Sequence, residues 1–190
     1  MNVLYLGPER PVFEKYFHSV GDSIKRYEET LTPDNSVLQD VEFIVSYGYQ
    51  KIIKQNVLDL FVGRVINLHI SLLPWNRGAD PNFWSFIEHT PKGVTIHQIE
   101  AGIDTGAILV QKEVSFTEDE TLRTSYAKLS SLIEKLFYET WPKIRNRKIT
   151  PRPQPQGGSF HKPIDKKPYE YLLSEGWDTH VRKLMDIHDH

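Results

Sequence analysis

The sequence has no cysteine, and this absence excludes several kinds of site at once. Without thiols the chain forms no disulfide, presents no thiolate nucleophile and binds no cysteine-ligated zinc. It also has no apolar run near the ~20 residues that cross a bilayer, so we expect no membrane association. The apolar run at its N-terminus is short and lacks a basic flank, which argues against a signal peptide. A cytoplasmic location is the default expectation.

The sequence likewise has no excess of positive charge. Its formal net charge is −2, from 23 Lys and Arg against 25 Asp and Glu. A chain with this balance has no broad attraction for phosphate backbones, so we expect no nucleic acid partner. Its 190 residues, of which 39% are hydrophobic, suffice for one domain with a buried core and a small appendage.

Short apolar strands alternate with helical segments along the first 145 residues. Strands are predicted at 3–6, 23–27, 42–46, 64–69, 93–99 and 108–116, and helices at 11–17, 51–60, 82–89 and 120–145. This alternation predicts an α/β fold, with a Rossmann-like, mostly parallel twisted sheet and helices on both faces. The residues expected on the buried side of the longest helix are Leu122, Tyr126, Leu129, Leu132, Ile133, Leu136 and Phe137.

The character of the chain changes after residue 149. Residues 1–149 are predicted to form the main domain, and the Pro- and Gly-rich residues 150–158 an extended connector. Residues 159–190 form a predicted appendage, with a hairpin of strands 158–161 and 169–173 and one helix near 178–187. The terminal histidines, His188 and His190, are interpreted as an exposed end, and no metal site is predicted.

One group of polar residues combines side chains suited to acyl transfer. In open sheets of this type, ligands bind beyond the carboxyl ends of the strands. Asn67 and His69 lie two residues apart at a predicted strand end, so both point to one side of the sheet. Asp104 lies in a glycine-flanked loop. An amide can donate to an oxyanion, an imidazole can move a proton near neutral pH, and a carboxylate can orient that imidazole. Spacing alone does not separate this chemistry from a structural histidine and an aspartate that serves only its turn.

The residue identities in three segments are more specific than the spacing of the three polar residues. Residues 67–78 (NLHISLLPWNRG), 93–97 (GVTIH) and 102–111 (GIDTGAILVQ) resemble, in this order, the folate-dependent formyltransferase family. That family includes glycinamide ribonucleotide transformylase, methionyl-tRNA formyltransferase and the sugar N-formyltransferases. The resemblance covers about residues 1–145, and it makes this part of the chain the expected catalytic domain.

The resemblance implies a co-substrate and a role for each polar residue. The co-substrate would be 10-formyltetrahydrofolate, whose formyl carbon is attacked directly by a neutral amine. Asn67 would hold the oxyanion, His69 would support that charge and move a proton, and Asp104 would support His69 and the exit of the proton. The residues implied to contact the folate are Tyr47, Gly48, Tyr49, Leu73, Gln98, Ile99, Gly102 and Ile103. For the two tyrosines, packing at the sheet edge is an equal alternative.

Two members of the family are disfavoured by what the sequence lacks. The loop after the first strand contains Pro8 and Pro11, which have no backbone N–H groups, so it makes a poor nest for the phosphate of glycinamide ribonucleotide. Methionyl-tRNA formyltransferases carry an additional C-terminal domain, whereas 45 residues (190 − 145) follow the long helix here. Since the net charge is also negative, tRNA is not expected as a substrate.

The acceptor is predicted from residues 73–85 (LPWNRGADPNFWS). This stretch resembles the version found in bacterial sugar N-formyltransferases, which implies a nucleotide-linked amino sugar, most simply a dTDP-amino-dideoxyhexose, used in O-antigen and lipopolysaccharide biosynthesis. Aromatic and amide side chains suit sugar and base recognition. The residues assigned to the acceptor are Gly7, Arg10, Trp75, Asn76, Arg77, Gly78, Asp80 and Asn82. Trp84 is expected to face the core instead.

Three alternatives stay open from the sequence. Glycinamide ribonucleotide or another small amine could be the acceptor. A 10-formyltetrahydrofolate hydrolase would use the same three polar residues with water in place of the amine, and a binding module could keep the fold without activity. The family resemblance also implies a homodimer.

Overall fold

The computed structural model describes residues 1–188, with the side chains of residues 1–187. Its eight strands are β1 (Asn2–Leu6), β2 (Ser23–Tyr27), β3 (Phe43–Ser46), β4 (Val65–His69), β5 (Arg77–Gly78), β6 (Gly93–Gln98), β7 (Ile108–Glu113) and β8 (Phe160–His161). Its five α-helices are α1 (Pro11–Ser19), α2 (Gln55–Leu58), α3 (Pro81–Ile87), α4 (Leu122–Arg145) and α5 (Arg182–Met185). The interpretation of the terminal histidines concerns side chains outside the described ones.

Six strands form one sheet in the order β2-β1-β3-β4-β6-β7. β1 pairs in parallel with β2 and β3, and β3 pairs in parallel with β4. β6 is antiparallel to both β4 and β7, so it alone runs in the reverse direction. The predicted mostly parallel, Rossmann-like sheet is therefore confirmed, with one reversed strand that the apolar pattern did not reveal.

Helices cover both faces of the sheet, as predicted. On one face α1 and α4 bury a cluster that includes Phe13, Leu68, Ile133, Phe137 and Trp141. On the other face, α2 and the turn after it bury a second cluster that includes Leu4, Leu6, Ile44, Val57 and Phe61. Because side chains alternate along a strand, Leu68 points toward α4 while its neighbours in β4 point to the opposite face. This alternation places the polar end of β4 away from the long helix.

Two helical predictions differ from the structure. The predicted helix at 51–60 begins only at Gln55 and continues as a 3-10 turn over 59–61. Ile53 is buried from an extended segment, so its contact with the core replaces the helical arrangement that its spacing suggested. On α4, Tyr126 is 37% exposed and meets Trp177, whereas Trp141 belongs to the buried side. The first turn of α4 is covered by the C-terminal segment and not by the sheet.

The predicted C-terminal hairpin is wrong. β8 pairs in parallel with β5, and residues 163–173 form 3-10 helical turns instead of a second strand. Pro163 and Pro168 fix φ near −65°, a value that suits these helical turns. The predicted helix near 178–187 reduces to α5 with 3-10 turns on either side. Val181 and Leu184 pack on α3, which fixes this end of the chain.

Among the helices of residues 1–188, none combines the length and the hydrophobicity that a bilayer span requires. The division into residues 1–149, 150–158 and 159–190 stays a prediction.

Candidate functional site

Four polar side chains meet beside the end of β4. Asn67 and His69 project from one side of β4, and His97 projects from the paired position on β6. The loop that follows β6 folds back over the sheet and brings Asp104 to them. The Asn67 Nδ2 atom donates to Asp104 Oδ1 at 3.3 Å, and His69 Nδ1 lies 3.7 Å from Asp104 Oδ2. The three residues predicted from the sequence are thus brought into one site.

Asp104 is held as a carboxylate by its surroundings. It lies in the left-handed region at φ 53°, which aspartate tolerates better than most residues. The backbone N–H of Gly78 donates to its Oδ2 at 2.9 Å, and His97 Nε2 lies 3.4 Å from its Oδ1. Burial alone would raise its pKa, but the two histidines and the Gly78 N–H together hold the pKa of Asp104 well below its usual range. Asp104 is therefore charged across the neutral range.

His69 lies between two hydrogen-bond acceptors. Its Nε2 is 3.1 Å from the carbonyl oxygen of Asn76, and its Nδ1 faces the Asp104 carboxylate. A doubly protonated ring donates to both partners at once, whereas a neutral ring donates to only one of them. His69 therefore has an oxygen acceptor beside each ring nitrogen, an arrangement that suits a group that accepts a proton during a reaction.

Asn76 positions His69 and does not face a ligand. Its side chain is fully buried: Nδ2 donates to Glu88 at 3.2 Å, and Oδ1 accepts from Thr90 at 2.7 Å. Its backbone N–H donates to Ser159 Oγ at 3.0 Å, and its φ is 54°. The predicted contact of its side chain with the acceptor is wrong, because internal partners occupy the amide. What Asn76 contributes is the carbonyl that orients the imidazole of His69.

His97 is part of the site, although sequence reasoning did not assign it a role. Its Nδ1 lies 2.8 Å from the Gln98 carbonyl, which leaves Nε2 toward Asp104 and within 3.3 Å of Asn67 Nδ2. The sequence offered one signal: His97 lies in the predicted strand at 93–99, two residues after Thr95, so the two side chains share one face of that strand. Using that signal required knowing that β6 is antiparallel to β4 and that His97 pairs with Asn67.

Gln154 from the predicted connector braces the loop that carries Asp104. Its Nε2 donates to the carbonyl of Asp104 at 2.7 Å and to that of Gly106 at 2.9 Å. The connector also lies against the start of β7, where Arg152 and Ile108 exchange backbone hydrogen bonds. Because these contacts join residues far apart in the chain, no local pattern could have predicted them.

Gly7 and Arg10, which were assigned to the acceptor, lie in the loop after β1 and contact other parts of the protein. The Arg10 guanidinium reaches Glu134 of α4 at 3.1 Å and lies 4.0 Å above the ring of Tyr47. Tyr47 itself is 4% exposed and its side chain belongs to the core, in accord with its packing alternative. A Cβ on Gly7 would lie 2.1 Å from the Tyr47 carbonyl, so this glycine serves a close approach of two backbones. Arg10 is accordingly held by protein partners.

The other residues assigned to the acceptor divide into two groups. Trp75 is 36% exposed near the site, and Asp80 is partly exposed and pairs with Lys166 at 3.0 Å. Arg77 and Gly78 are instead engaged in the β5–β8 pair, where Arg77 N–H donates to the Ser159 carbonyl at 3.0 Å. Asn82 is buried and binds the start of α4. Trp84 is buried, as predicted, and stacks on His161 with centroids 3.9 Å apart.

Of the residues assigned to the folate, Gly102 and Ile103 lie in the loop that carries Asp104. Ile103 is 47% exposed and Gly102 has φ 106°, so the loop presents apolar surface and backbone beside Asp104. Leu73 is buried; its N–H donates to Thr95 Oγ1 and its carbonyl accepts from Gln111. Tyr49 donates its hydroxyl to the Glu29 carbonyl and packs on the second core cluster, in accord with its edge-packing alternative. Within residues 1–188, no group of three His, Asp or Glu side chains is arranged to hold a metal ion.

Comparison with known proteins settles the family. Residues 18–140 match the family described as formyl transferase. The chain belongs to the formyltransferase family. It is 37% identical over 147 residues to a methionyl-tRNA formyltransferase of Thermodesulfovibrio yellowstonii, covering 77% of this chain and 46% of that protein. The chain spans about half the length of the curated relatives it matches.

One solved formyltransferase is similar over nearly its whole length. It is PseJ from Anoxybacillus kamchatkensis, crystallised with UDP-4,6-dideoxy-4-formamido-L-AltNAc and tetrahydrofolate. The two chains are 53% identical, each is covered to 97%, and the TM-score is 0.95. A 4-N formyltransferase from Francisella tularensis shares the fold at 21% identity and a TM-score of 0.78, over 88% of this chain and 78% of that one. The resemblance and the fold predicted from the motifs are both confirmed.

Proposed function

We propose that this formyltransferase moves a formyl group from 10-formyltetrahydrofolate to the amine of a nucleotide-linked amino sugar. The observation that carries the proposal is the meeting of Asn67, His69 and Asp104 around one point, with distances of 3.3 and 3.7 Å to the carboxylate. This arrangement supplies a neutral donor, a proton acceptor and a fixed negative charge, which direct transfer to an amine requires and a simple binding module does not.

Each of the three residues has a separate task in the proposed reaction. Asn67 donates a hydrogen bond from Nδ2 to the carbonyl oxygen as negative charge develops there, an effect worth roughly 10²–10³ in rate. As the amine nitrogen bonds to the formyl carbon, His69 accepts the amine proton, and the Asp104 carboxylate stabilises the resulting imidazolium. The tetrahedral intermediate then collapses with cleavage of the bond between the formyl carbon and N10 of the folate, and the proton is returned to N10, so that tetrahydrofolate and the formamide are released. The exposed side chain of Ile103 offers apolar contact beside these groups, which fits a flat and partly apolar pterin ring. The folate supplies the electrophilic formyl carbon.

The acceptor is proposed to be a UDP-linked amino sugar. The motifs resemble enzymes of dTDP-linked sugars, but PseJ, at 53% identity, was crystallised with a UDP-linked formamido sugar. Glycinamide ribonucleotide is disfavoured because Arg10, in the loop after β1, pairs with Glu134 and lies over the ring of Tyr47. Its guanidinium is therefore not free to bind a phosphate.

Three wider proposals accompany the assignment. The enzyme would act in the cytoplasm, and its product would be incorporated into a surface glycan such as O-antigen or lipopolysaccharide. A homodimer is the proposed assembly, by resemblance to the family.

A panel of acceptors tests the proposed function directly. The protein is incubated with 10-formyltetrahydrofolate and UDP-, dTDP- or GDP-linked amino sugars or glycinamide ribonucleotide, and products are measured by mass spectrometry. We expect a formyl gain on a UDP-linked amino sugar. Formylation of glycinamide ribonucleotide alone would exclude the sugar acceptor, and rapid release of tetrahydrofolate without any acceptor would indicate a hydrolase. His69→Ala should abolish transfer, whereas His18→Ala, at an exposed position on α1, should not.

A further inference from the structure

The short strand β5 lies between the catalytic side chains and the C-terminal strand β8. The Asn76 carbonyl lies 3.1 Å from His69 Nε2, and the Gly78 N–H donates to Asp104 Oδ2 at 2.9 Å. Asn76 directly precedes β5, and Gly78 is its second residue. A displacement of β5 would therefore move an acceptor of the imidazole and a donor to the carboxylate together.

β8 pairs with the edge of β5 that faces away from the catalytic carboxylate. Arg77 N–H donates to the Ser159 carbonyl at 3.0 Å. Ala79 N–H donates to the His161 carbonyl at 2.9 Å. Because successive N–H groups of a strand point in opposite directions, the Gly78 N–H between them points to that carboxylate. β8 thus holds β5 in the register that serves the site.

The carboxylate of Glu88 connects Asn76 with β8. Glu88 directly follows α3, and its N–H donates to the Trp84 carbonyl at 2.9 Å, so the helix fixes its backbone. Its Oε2 accepts a hydrogen bond from the buried Asn76 Nδ2 at 3.2 Å. His161 Nε2 lies 3.0 Å from Oε1 without the alignment of a hydrogen bond, and its ring stacks on Trp84 with 8° between the planes. The carboxylate is therefore confined from both sides.

Asn76 depends on such contacts because of its backbone. Its φ of 54° lies in the left-handed region, where residues other than glycine persist only when their surroundings hold them. Its N–H donates to Ser159 Oγ at 3.0 Å, and its Oδ1 accepts from Thr90 at 2.7 Å. With the bond from Nδ2 to Glu88, all polar groups of this residue except its carbonyl are directed away from His69. Loss of one of these bonds lets the carbonyl turn away from the imidazole.

We propose that Glu88 is a positioning residue for formyl transfer and acts on His69 through Asn76, an inference that rests on the role proposed for His69. Glu88 holds the Asn76 side chain, and the Asn76 carbonyl in turn orients the imidazole. β8 keeps this arrangement in register with the catalytic carboxylate. The C-terminal segment therefore contributes to the reaction although it supplies none of the three catalytic residues.

The first test separates catalysis from binding in the full chain. Glu88→Ala and Glu88→Gln are compared with the wild type and with Glu118→Ala, which changes an exposed glutamate before α4. We expect kcat of Glu88→Ala to fall roughly 10- to 100-fold, with KM for acceptor and folate within about twofold, because a displaced group slows the reaction without weakening binding. Glu88→Gln keeps an oxygen for Asn76 Nδ2, so its kcat should stay within about threefold of the wild type.

A second test observes His69 directly and needs no acceptor. Ring ¹⁵N NMR spectra are recorded at one pH, and the His69 signals are assigned by their loss in His69→Gln. We expect the Nε2 resonance to move in Glu88→Ala, because its hydrogen bond to the Asn76 carbonyl changes, and to stay in place in Glu118→Ala. Ser159→Ala removes the acceptor of the Asn76 N–H from a half-buried position, so it moves the same resonance even if Glu88→Ala does not fold.

The outcomes separate this inference from the proposed function. An Nε2 resonance at the wild-type position in folded Glu88→Ala and in Ser159→Ala would overturn the positioning role. So would a kcat of Glu88→Ala within about fivefold of the wild type. If the resonance moves as expected but no amino sugar is formylated in the acceptor panel, the effect of Glu88 on His69 stands and the proposed acceptor fails.

Discussion

Replacing Asp104 by asparagine isolates the contribution of one charge to the reaction. Asparagine keeps the shape, tolerates the left-handed backbone at φ 53°, and can still accept the hydrogen bond from Gly78 N–H. What disappears is the negative charge 3.7 Å from His69 Nδ1. At an effective dielectric of 20, two unit charges about 4 Å apart attract by about 4 kcal/mol, which corresponds to roughly a thousandfold in rate.

The assay is steady-state formyl transfer to the acceptor that the panel identifies, for Asp104→Asn, the wild type and Asp59→Asn. We expect kcat of Asp104→Asn to fall roughly 10³-fold, because the imidazolium of His69 loses its counter-ion, while KM for the acceptor changes little. Asp59 is an exposed carboxylate in the turn after α2, so its variant controls for the loss of one charge. A kcat within about fivefold of the wild type in Asp104→Asn would refute the proposed role of the carboxylate.

Three other measurements follow from the structure. His97→Leu removes a partner of the catalytic carboxylate at 3.4 Å, so kcat should fall roughly 10- to 100-fold, while thermal unfolding shows whether the fold is kept. Gln154→Ala frees two carbonyls of the catalytic loop; kcat should fall about tenfold with little change in Tm, and Gln156→Ala serves as control. Asp22→Asn should lower the free energy of unfolding by about 3 kcal/mol near pH 7, because the carboxylate is buried against Arg145 and Trp141. Burial acts to raise the pKa of Asp22, but these hydrogen bonds outweigh it and lower the pKa. The carboxylate therefore stabilises the fold above about pH 4, and this stabilisation is lost on acidification. In urea titrations, the free energies of unfolding of the wild type and Asp22→Asn should differ less at pH 3 than at pH 7.

Much of the architecture followed from local patterns in the sequence. The strand predicted at 3–6 lies within β1, and the helix predicted from residue 11 begins at Pro11. Both rest on short-range effects: an apolar run that must be buried, and a proline whose fixed φ suits a first helical turn. Asn67 and His69 were placed on one face by the two-residue period of a strand. Their meeting with Asp104 was implied by the family resemblance, because spacing alone left it open.

The wrong predictions share a physical cause. Asn76 was assigned to the acceptor for its polar side chain, yet the same side chain satisfies Glu88 and Thr90 in the interior. Tyr126 was placed on the buried side of α4 by its spacing, but that end of the helix meets the C-terminal segment. In both cases the residue type and its period were known, and the partner from a distant part of the chain was not.

What the sequence by itself determined is the order of the six main strands and of the long helix, together with the identity of the reacting groups, since these depend on residues near one another or on a motif. The tertiary structure alone decided that β6 runs in reverse, which sets His97 opposite Asn67, and that the connector braces the catalytic loop through Gln154. It alone also paired β8 with β5. Strand direction and long-range contacts depend on how whole elements pack, and a local pattern carries no record of that packing.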